Sequence, residues 1–164
     1  NRGYMGSGGD YLFAPNGAVT RAALVSVLYR MEKSPAVESA AVFEDVPPDA
    51  WYAPAVAWAS SNGITNGNSW TTFDPSGVLT RQQAAVIAYR YAAWSGRTGK
   101  EAGSLDAYAD AEQVASYAQS AVAWCADNGL LSGGMEAGRL APRDTLTRSQ
   151  CAFLVSALRA IRAS

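Results

Sequence analysis

Three Thr-Arg pairs along the chain have the residue types and setting best suited to recognition chemistry: Thr20-Arg21, Thr80-Arg81 and Thr147-Arg148. Each pair precedes apolar residues at helical spacing, so we expect each Thr to cap a helix and each Arg to take its first position. A cation there opposes the helix dipole and costs about 0.3–1 kcal/mol. A guanidinium beside free helix N–H groups can hold a carboxylate or a phosphate. The alternative is an ion pair with an internal acid, Asp45 or Asp110.

The elements that must position these pairs form a repeat. The segment 73–81 matches 13–21 at an offset of 60 residues and matches 140–148 at an offset of 67. Upstream, 43–58 matches 108–124 in the same way. Three copies at regular spacing indicate a repeat protein, and each copy has the pattern of helix, loop, helix.

The first copy has no upstream half, because residues 1–3 align with the predicted helix ends at 62–63 and 128–129. We therefore expect a fragment in which the first helix of repeat 1 is absent. A separate fragment or a neighbouring molecule would then supply that helix. The expected units are the second half of repeat 1 at 1–33, repeat 2 at 43–93 and repeat 3 at 106–163, together one compact domain.

Composition excludes several classes of function. The 164 residues are 49% hydrophobic and 16% charged, as in a globular domain. The net charge of −1 and the absence of a basic cluster argue against nucleic acid as a partner. The chain contains no His, which removes the commonest catalytic base and zinc ligand, so we expect no enzyme activity, no cofactor and no metal. The sequence contains neither a membrane span nor a signal peptide, and an export signal would lie upstream.

Two cysteines and five tryptophans complete the candidate residues. Cys125 and Cys151 stand where the preceding repeat has alanine, so we expect buried thiols, with a disulfide within repeat 3 as the alternative. Trp58 and Trp124 occupy equivalent helix positions and are expected in the core. Trp70 has no counterpart in the other repeats and is a candidate for a loop contact.

Taken together, the motifs resemble the S-layer homology (SLH) family. Repeat 2 carries them best: Phe43-Glu44-Asp45, Trp51, Gly63 to Gly67, Phe73-Asp74-Pro75 and Leu79 to Gln83. The resemblance implies an all-α fold, with three tandem helix-loop-helix repeats in a pseudo-threefold bundle and grooves between repeats. It also implies non-covalent binding of secondary cell-wall polysaccharide, often through a pyruvate ketal, by a non-catalytic module outside the cell.

The same resemblance assigns roles to individual residues. An arginine would take the pyruvate carboxylate, an aspartate would accept sugar hydroxyls, and an aromatic ring would cover a sugar face. The implied saccharide-binding residues are Arg21, Arg81, Arg148, Asp45, Asp110, Trp51, Tyr117, Gly67 and Gly133. The alternative function is a helical module that binds protein partners in its inter-repeat grooves, with the arginines in structural ion pairs.

Overall fold

The computed structural model describes residues 16–39, 43–132 and 137–163. Over these ranges the regular structure is helical, and backbone pairing between extended segments is limited to isolated β-bridges. The predicted all-α class is confirmed. The helices are α1 (Arg21–Met31), α2 (Ala53–Ser61), α3 (Arg81–Trp94), α4 (Gln119–Asp127) and α5 (Arg148–Ala160), with short 3-10 turns at Ala111–Gln113 and Ser116–Ala118.

The second helix of each repeat begins as the sequence predicts. The hydroxyls of Thr20, Thr80 and Thr147 accept hydrogen bonds from the backbone N–H three residues later, at 3.1, 3.3 and 3.1 Å. In α3 and α5 the side chains of Gln83 and Gln150 accept in return from the Thr N–H, at 2.9 and 3.0 Å. Two complete capping boxes therefore start α3 and α5, and Thr20 alone caps α1.

The first helices, α2 and α4, end alike. Each has an asparagine at its C-terminal cap, and the following residue, Gly63 or Gly129, has a φ of +71° or +77°. Glycine adopts this left-handed conformation without the penalty that a Cβ imposes, so it stops the helix cleanly. Pro54 lies in the first turn of α2, where its missing N–H costs nothing.

Helices pack between repeats. The second helix of one repeat packs on the first helix of the next, α1 on α2 and α3 on α4. Trp58 of α2 is buried between Tyr29 of α1 and Trp94 of α3, with ring centroids 5.5 and 5.3 Å away. Trp124 of α4 is buried in the same way, 5.6 Å from the ring of Tyr89 on α3. The core positions predicted for the two tryptophans are confirmed.

Both cysteines are free and buried, as first predicted, and the alternative of a disulfide is not what the structure shows. The physical reason is the pairing of helices between repeats: Cys125 on α4 faces α3, where its thiol donates to the carbonyl of Ala85 at 3.5 Å. Burial raises the pKa of Cys151 to about 12 and raises that of Cys125 as well. Neither thiol is ionised near neutral pH.

A ring of backbone hydrogen bonds joins the three repeats just before their second helices. The N–H of Val19 donates to Leu146, that of Leu146 to Leu79 and that of Leu79 back to Val19, at 3.1, 2.8 and 2.9 Å. All three residues are buried. The ring places the three Thr-Arg pairs around a common centre. The pseudo-threefold arrangement of whole repeats and the boundaries at 1–33, 43–93 and 106–163 stay predictions, and residues 1–15 lie outside the described part.

Candidate functional site

The three repeated arginines do not share one environment. Arg81 is 1% exposed, although it begins α3. Its Nε donates to the carbonyl of Leu140 at 2.9 Å and its Nη2 donates to that of Leu131 at 2.5 Å. Burial lowers the pKa of Arg81, and the nearby carboxylates Asp144 and Asp110 act against that effect. Arg81 thus ties repeat 2 to repeat 3 and presents almost no surface to a ligand.

The expectation of free N–H groups at these helix starts is wrong for α1 and α3. The N–H of Arg21 donates to Gly77 at 2.9 Å, and the next N–H, of residue 22, donates to Pro75 at 3.1 Å. In α3, Arg81 donates to Asp144 and residue 82 to Pro142, both at 2.9 Å. The third N–H of each helix is taken by the capping Thr. Backbone carbonyls of the next repeat therefore occupy the helix N-termini where an anion was expected to bind. The same carbonyls offset the positive end of the helix dipole, which a first-turn arginine opposes.

Asp45 and Asp110 make equivalent contacts within their own repeats. Each carboxylate accepts hydrogen bonds from two consecutive backbone N–H groups, one at each oxygen, and we call this contact the Asp clasp. Asp45 accepts from the N–H groups of residues 73 and 74, both at 2.8 Å. Asp110 accepts from those of Leu140 and Ala141, at 2.9 and 2.8 Å. The two carboxylates therefore hold the loop that leads to each Thr-Arg pair, a role in the fold that the sequence alone did not reveal. Their predicted bonds to sugar hydroxyls stay a prediction.

Asp110 is the more buried of the two carboxylates, at 4% exposure. Burial acts to raise its pKa, but the two N–H bonds and the charge of Arg139, 3.9 Å away, outweigh burial. The pKa of Asp110 therefore lies below its ordinary value. The carboxylate is ionised throughout the physiological range and stabilises the loop in that form.

Two loop glycines, Gly67 and Gly133, are among the predicted site residues. Gly67 has a φ of +78°, and a Cβ there would lie 2.7 Å from the ring of Phe43 and 2.7 Å from the carbonyl of Thr72. The fold itself therefore requires glycine at position 67. Gly133 lies outside the described residues. A saccharide contact of either glycine stays a prediction.

Arg21, in contrast to Arg81, is only partly buried. Its Nε is shielded from solvent yet has no hydrogen-bond partner among the described residues. Burial lowers the pKa of Arg21, and Asp74 and the Tyr117 hydroxyl lie near enough to act against it. Tyr117 is 63% exposed at the start of repeat 3. A carboxylate of repeat 2 and an open aromatic ring of repeat 3 thus lie within electrostatic range of a guanidinium of repeat 1. We call these three residues the Arg21 groove, after the inter-repeat groove that the family resemblance predicts.

Asp74 belongs to the Arg21 groove, although it is not among the site residues that the family resemblance implies. It is exposed and has a φ of +61°, which is unusual for a residue with a side chain. A signal was present in the sequence, because the Phe-Asp-Pro segment precedes Thr80-Arg81 by a few residues and shares its loop. What the sequence could not show is that this loop packs on α1 and so reaches Arg21.

Trp51 and Arg148, the remaining predicted site residues, are also accessible. Trp51 is 61% exposed and meets the ring of Tyr52 edge-on, with the centroids 5.3 Å apart. Arg148 is partly buried, and its backbone N–H donates to Gly17 at 2.9 Å, as Arg21 does to Gly77. Trp51 therefore matches Tyr117 in exposure, and Arg148 matches Arg21 in its backbone contact.

Among the described residues, no helix has the length and apolar character needed to cross a membrane. In comparisons with known proteins, the S-layer homology domain family matches residues 42–85 and 107–152. A surface-layer 125 kDa protein of Lysinibacillus sphaericus is 36% identical over 116 residues, which are 70% of this chain and 9% of that protein. An amylopullulanase of Thermoanaerobacterium thermosulfurigenes is 26% identical over 149 residues, 91% of this chain and 8% of the enzyme.

The chain thus spans less than a tenth of the length of either relative. The two family matches fall on repeats 2 and 3 and together cover more than half of the sequence. They include the Asp clasps, the exposed rings of Trp51 and Tyr117, and two of the three Thr-Arg pairs. The capped helices, the repeated loops and these matches agree, and the chain belongs to the S-layer homology domain family.

Proposed function

We propose that this chain is a non-catalytic module that anchors a larger exported protein to the bacterial cell wall by binding secondary cell-wall polysaccharide. Membership of the S-layer homology family supports cell-wall anchoring. One relative is a surface-layer protein, and the other is an enzyme whose match to this chain covers 8% of its length, as a separate module would. Both relatives fit a location at the cell surface.

The Arg21 groove is the observation that carries the proposed ligand. The Arg21 Nε–H is desolvated and has no partner in the described part of the chain, and an unmade hydrogen bond of a shielded charged donor costs free energy. A carboxylate supplied by a ligand would recover that bond as a charge-assisted one. The pyruvate ketal of a terminal sugar offers such a carboxylate. The exposed ring of Tyr117 would cover the sugar face, and Asp74 would accept a hydroxyl.

A second groove follows from the order of the contacts. The Arg21 groove takes its arginine from repeat 1, its carboxylate from repeat 2 and its aromatic ring from repeat 3. Shifted back by one repeat, the same order takes its arginine from repeat 3 and its aromatic ring from repeat 2, and so predicts that Arg148 lies near Trp51. We expect this pair to form the second saccharide site. Arg81, with its guanidinium in the interior, is expected to form none.

Calorimetry with purified pyruvylated wall polysaccharide tests the proposal. We expect Arg21→Ala to weaken binding at least tenfold, since a charge-assisted bond to a carboxylate is lost. Arg162→Ala, at another exposed arginine, is the matched control and should bind normally. Polymer stripped of its ketal should bind the native chain and Arg21→Ala equally.

Two outcomes would contradict the proposal. Equal binding of intact and stripped polymer by the native chain would remove the carboxylate as the recognised group. Absence of binding to both polymers would favour the alternative, a module that docks protein partners in its grooves.

A further inference from the structure

The most exposed large hydrophobic side chain among the described residues lies outside the Arg21 groove. Trp70, in the loop between α2 and α3, is 97% exposed. Of the other tryptophans, Trp58 and Trp124 are buried, and Trp51 and Trp94 keep part of their surface covered. Full exposure of an indole forgoes a large hydrophobic gain, and it leaves the whole ring face available for stacking on a ligand.

The backbone on both sides of Trp70 is held in place. The Ser69 hydroxyl accepts from the N–H groups of Thr71 and Thr72, at 3.2 and 3.0 Å. The Thr72 carbonyl accepts from Asn68 and Ser69, at 2.9 and 3.0 Å. The Thr71 carbonyl accepts from the N–H of residue 44 at 2.8 Å. The backbone of the loop is therefore pre-formed, which lowers the entropic cost of binding.

The chemistry around Trp70 selects a class of ligand. Positions 51–73 contain no charged residue, and the residues that flank Trp70 in the sequence carry amides and hydroxyls: Asn66, Asn68, Ser69 and Thr71. The backbone contact at Thr71 brings one acidic residue, Glu44, beside the loop. Such groups exchange hydrogen bonds with sugar hydroxyls, and the indole face packs on the C–H face of a pyranose ring. A lipid surface would instead be met by basic residues, and this stretch has none.

The position of Trp70 also suits the polymer proposed for the Arg21 groove. Trp70 precedes Asp74 by four residues, so their Cα atoms are at most about 14 Å apart. A polysaccharide chain held at the Arg21 groove can therefore reach the loop within a short distance. Contacts at both places on one polymer would reinforce each other through effective concentration.

We propose that Trp70 forms a neutral-sugar subsite, in which the indole stacks on an uncharged ring of the wall polysaccharide beside the ring that carries the carboxylate. This inference rests on the proposed function, because it concerns the same polymer. It adds a specificity that the Arg21 groove lacks, since the Trp70 contact recognises no charge.

Calorimetry with the intact polysaccharide on four chains tests the subsite: native, Trp70→Ala, Trp70→Tyr and Arg21→Ala. We expect Trp70→Ala to weaken binding roughly fivefold to tenfold, as loss of one aromatic stacking contact does. Trp70→Tyr should retain most of the affinity, because it keeps an aromatic face. Thermal unfolding should be unchanged in both Trp70 variants, since the side chain is exposed.

The outcomes separate the subsite from the proposed function. Native affinity in Trp70→Ala, with a loss in Arg21→Ala, would overturn the subsite and leave the groove standing. Loss of self-association in Trp70→Ala during sedimentation, with unchanged polymer binding, would assign the loop to a protein contact and also overturn the subsite. Absence of binding by the native chain would overturn the proposed function and the subsite with it.

Discussion

Arg21 and Arg81 begin equivalent helices after equivalent threonines, yet the structure uses them in opposite ways. Arg81 lies in the interior and donates to the carbonyls of Leu140 and Leu131. Arg21 is partly buried within electrostatic range of the exposed Tyr117, and its Nε–H is unpartnered among the described residues. The comparison teaches that the repeated motif specifies a helix start and a junction between repeats. The contacts with the next repeat decide whether its arginine is interior or accessible.

The largest expected effect tests the structural half of this comparison. Arg81→Ala leaves two interior carbonyls without donors and a cavity where the side chain lay, so we expect unfolding to cost about 3 kcal/mol less. Arg21→Ala removes a partly exposed side chain and should cost less than about 1 kcal/mol. Urea denaturation of both variants measures the difference. Equal destabilisation by the two substitutions would contradict the division of roles.

The Asp clasps offer a smaller contrast between repeats 2 and 3. Asp110→Ala removes a buried carboxylate and leaves the N–H groups of Leu140 and Ala141 without an acceptor. We expect the free energy of unfolding to fall by about 2 kcal/mol. Asp45→Ala leaves two N–H groups without their acceptor, but water can reach them more easily. We expect the free energy of unfolding to fall by about 1 kcal/mol. Denaturant midpoints of the two variants test this order. A larger loss at Asp45 would show that burial is not the deciding factor.

The pKa of Asp110 predicts how stability depends on pH. Because that pKa is lower in the folded chain than the value of about 3.9 for an unfolded one, its stabilising effect is complete above about pH 4. It is lost as the pH falls through the folded pKa. We expect Asp110→Asn to lose less stability than the native chain as the pH falls below about 4. Parallel stability curves for the two proteins would rule out this contribution.

The smallest expected effect concerns a turn that repeats 2 and 3 build with different residues. Asp74 and Ala141 occupy equivalent positions with φ of +61° and +46°. Aspartate tolerates this region better than alanine, and glycine tolerates it best. Ala141→Gly should therefore raise stability by about 0.5–1 kcal/mol. Ala152→Gly, in the exposed middle of α5, is the matched control and should lower it by about 1 kcal/mol.

Much of the fold was predictable from the sequence, because its signals are local. The Thr caps, the Asn-Gly helix ends and the apolar spacing act within a few residues of each other, and the repeats showed them three times or twice. Burial of the thiols followed from their alignment with alanines. The family resemblance added the fold class and the cell-wall setting.

The site was harder to predict, because its properties arise between repeats. Nothing in the Thr-Arg pattern shows that the carbonyls of the following repeat cover the first N–H groups of α1 and α3. Nor does the pattern distinguish the interior Arg81 from the accessible Arg21. Asp74 joins the Arg21 groove only because its loop packs on α1. Each of these contacts joins residues more than fifty positions apart in the sequence.

The most direct test of the divided arginines is the NMR signal of each arginine Nε–H during titration with a short pyruvylated wall saccharide. Signals can be assigned by their absence from the Arg21→Lys, Arg81→Lys and Arg148→Lys variants. We expect the Nε–H chemical shifts of Arg21 and Arg148 to change when the saccharide is added. The chemical shift of Arg81 should not change, because its Nε–H remains bonded to Leu140. A shift at Arg81 with none at Arg21 would contradict this division of roles.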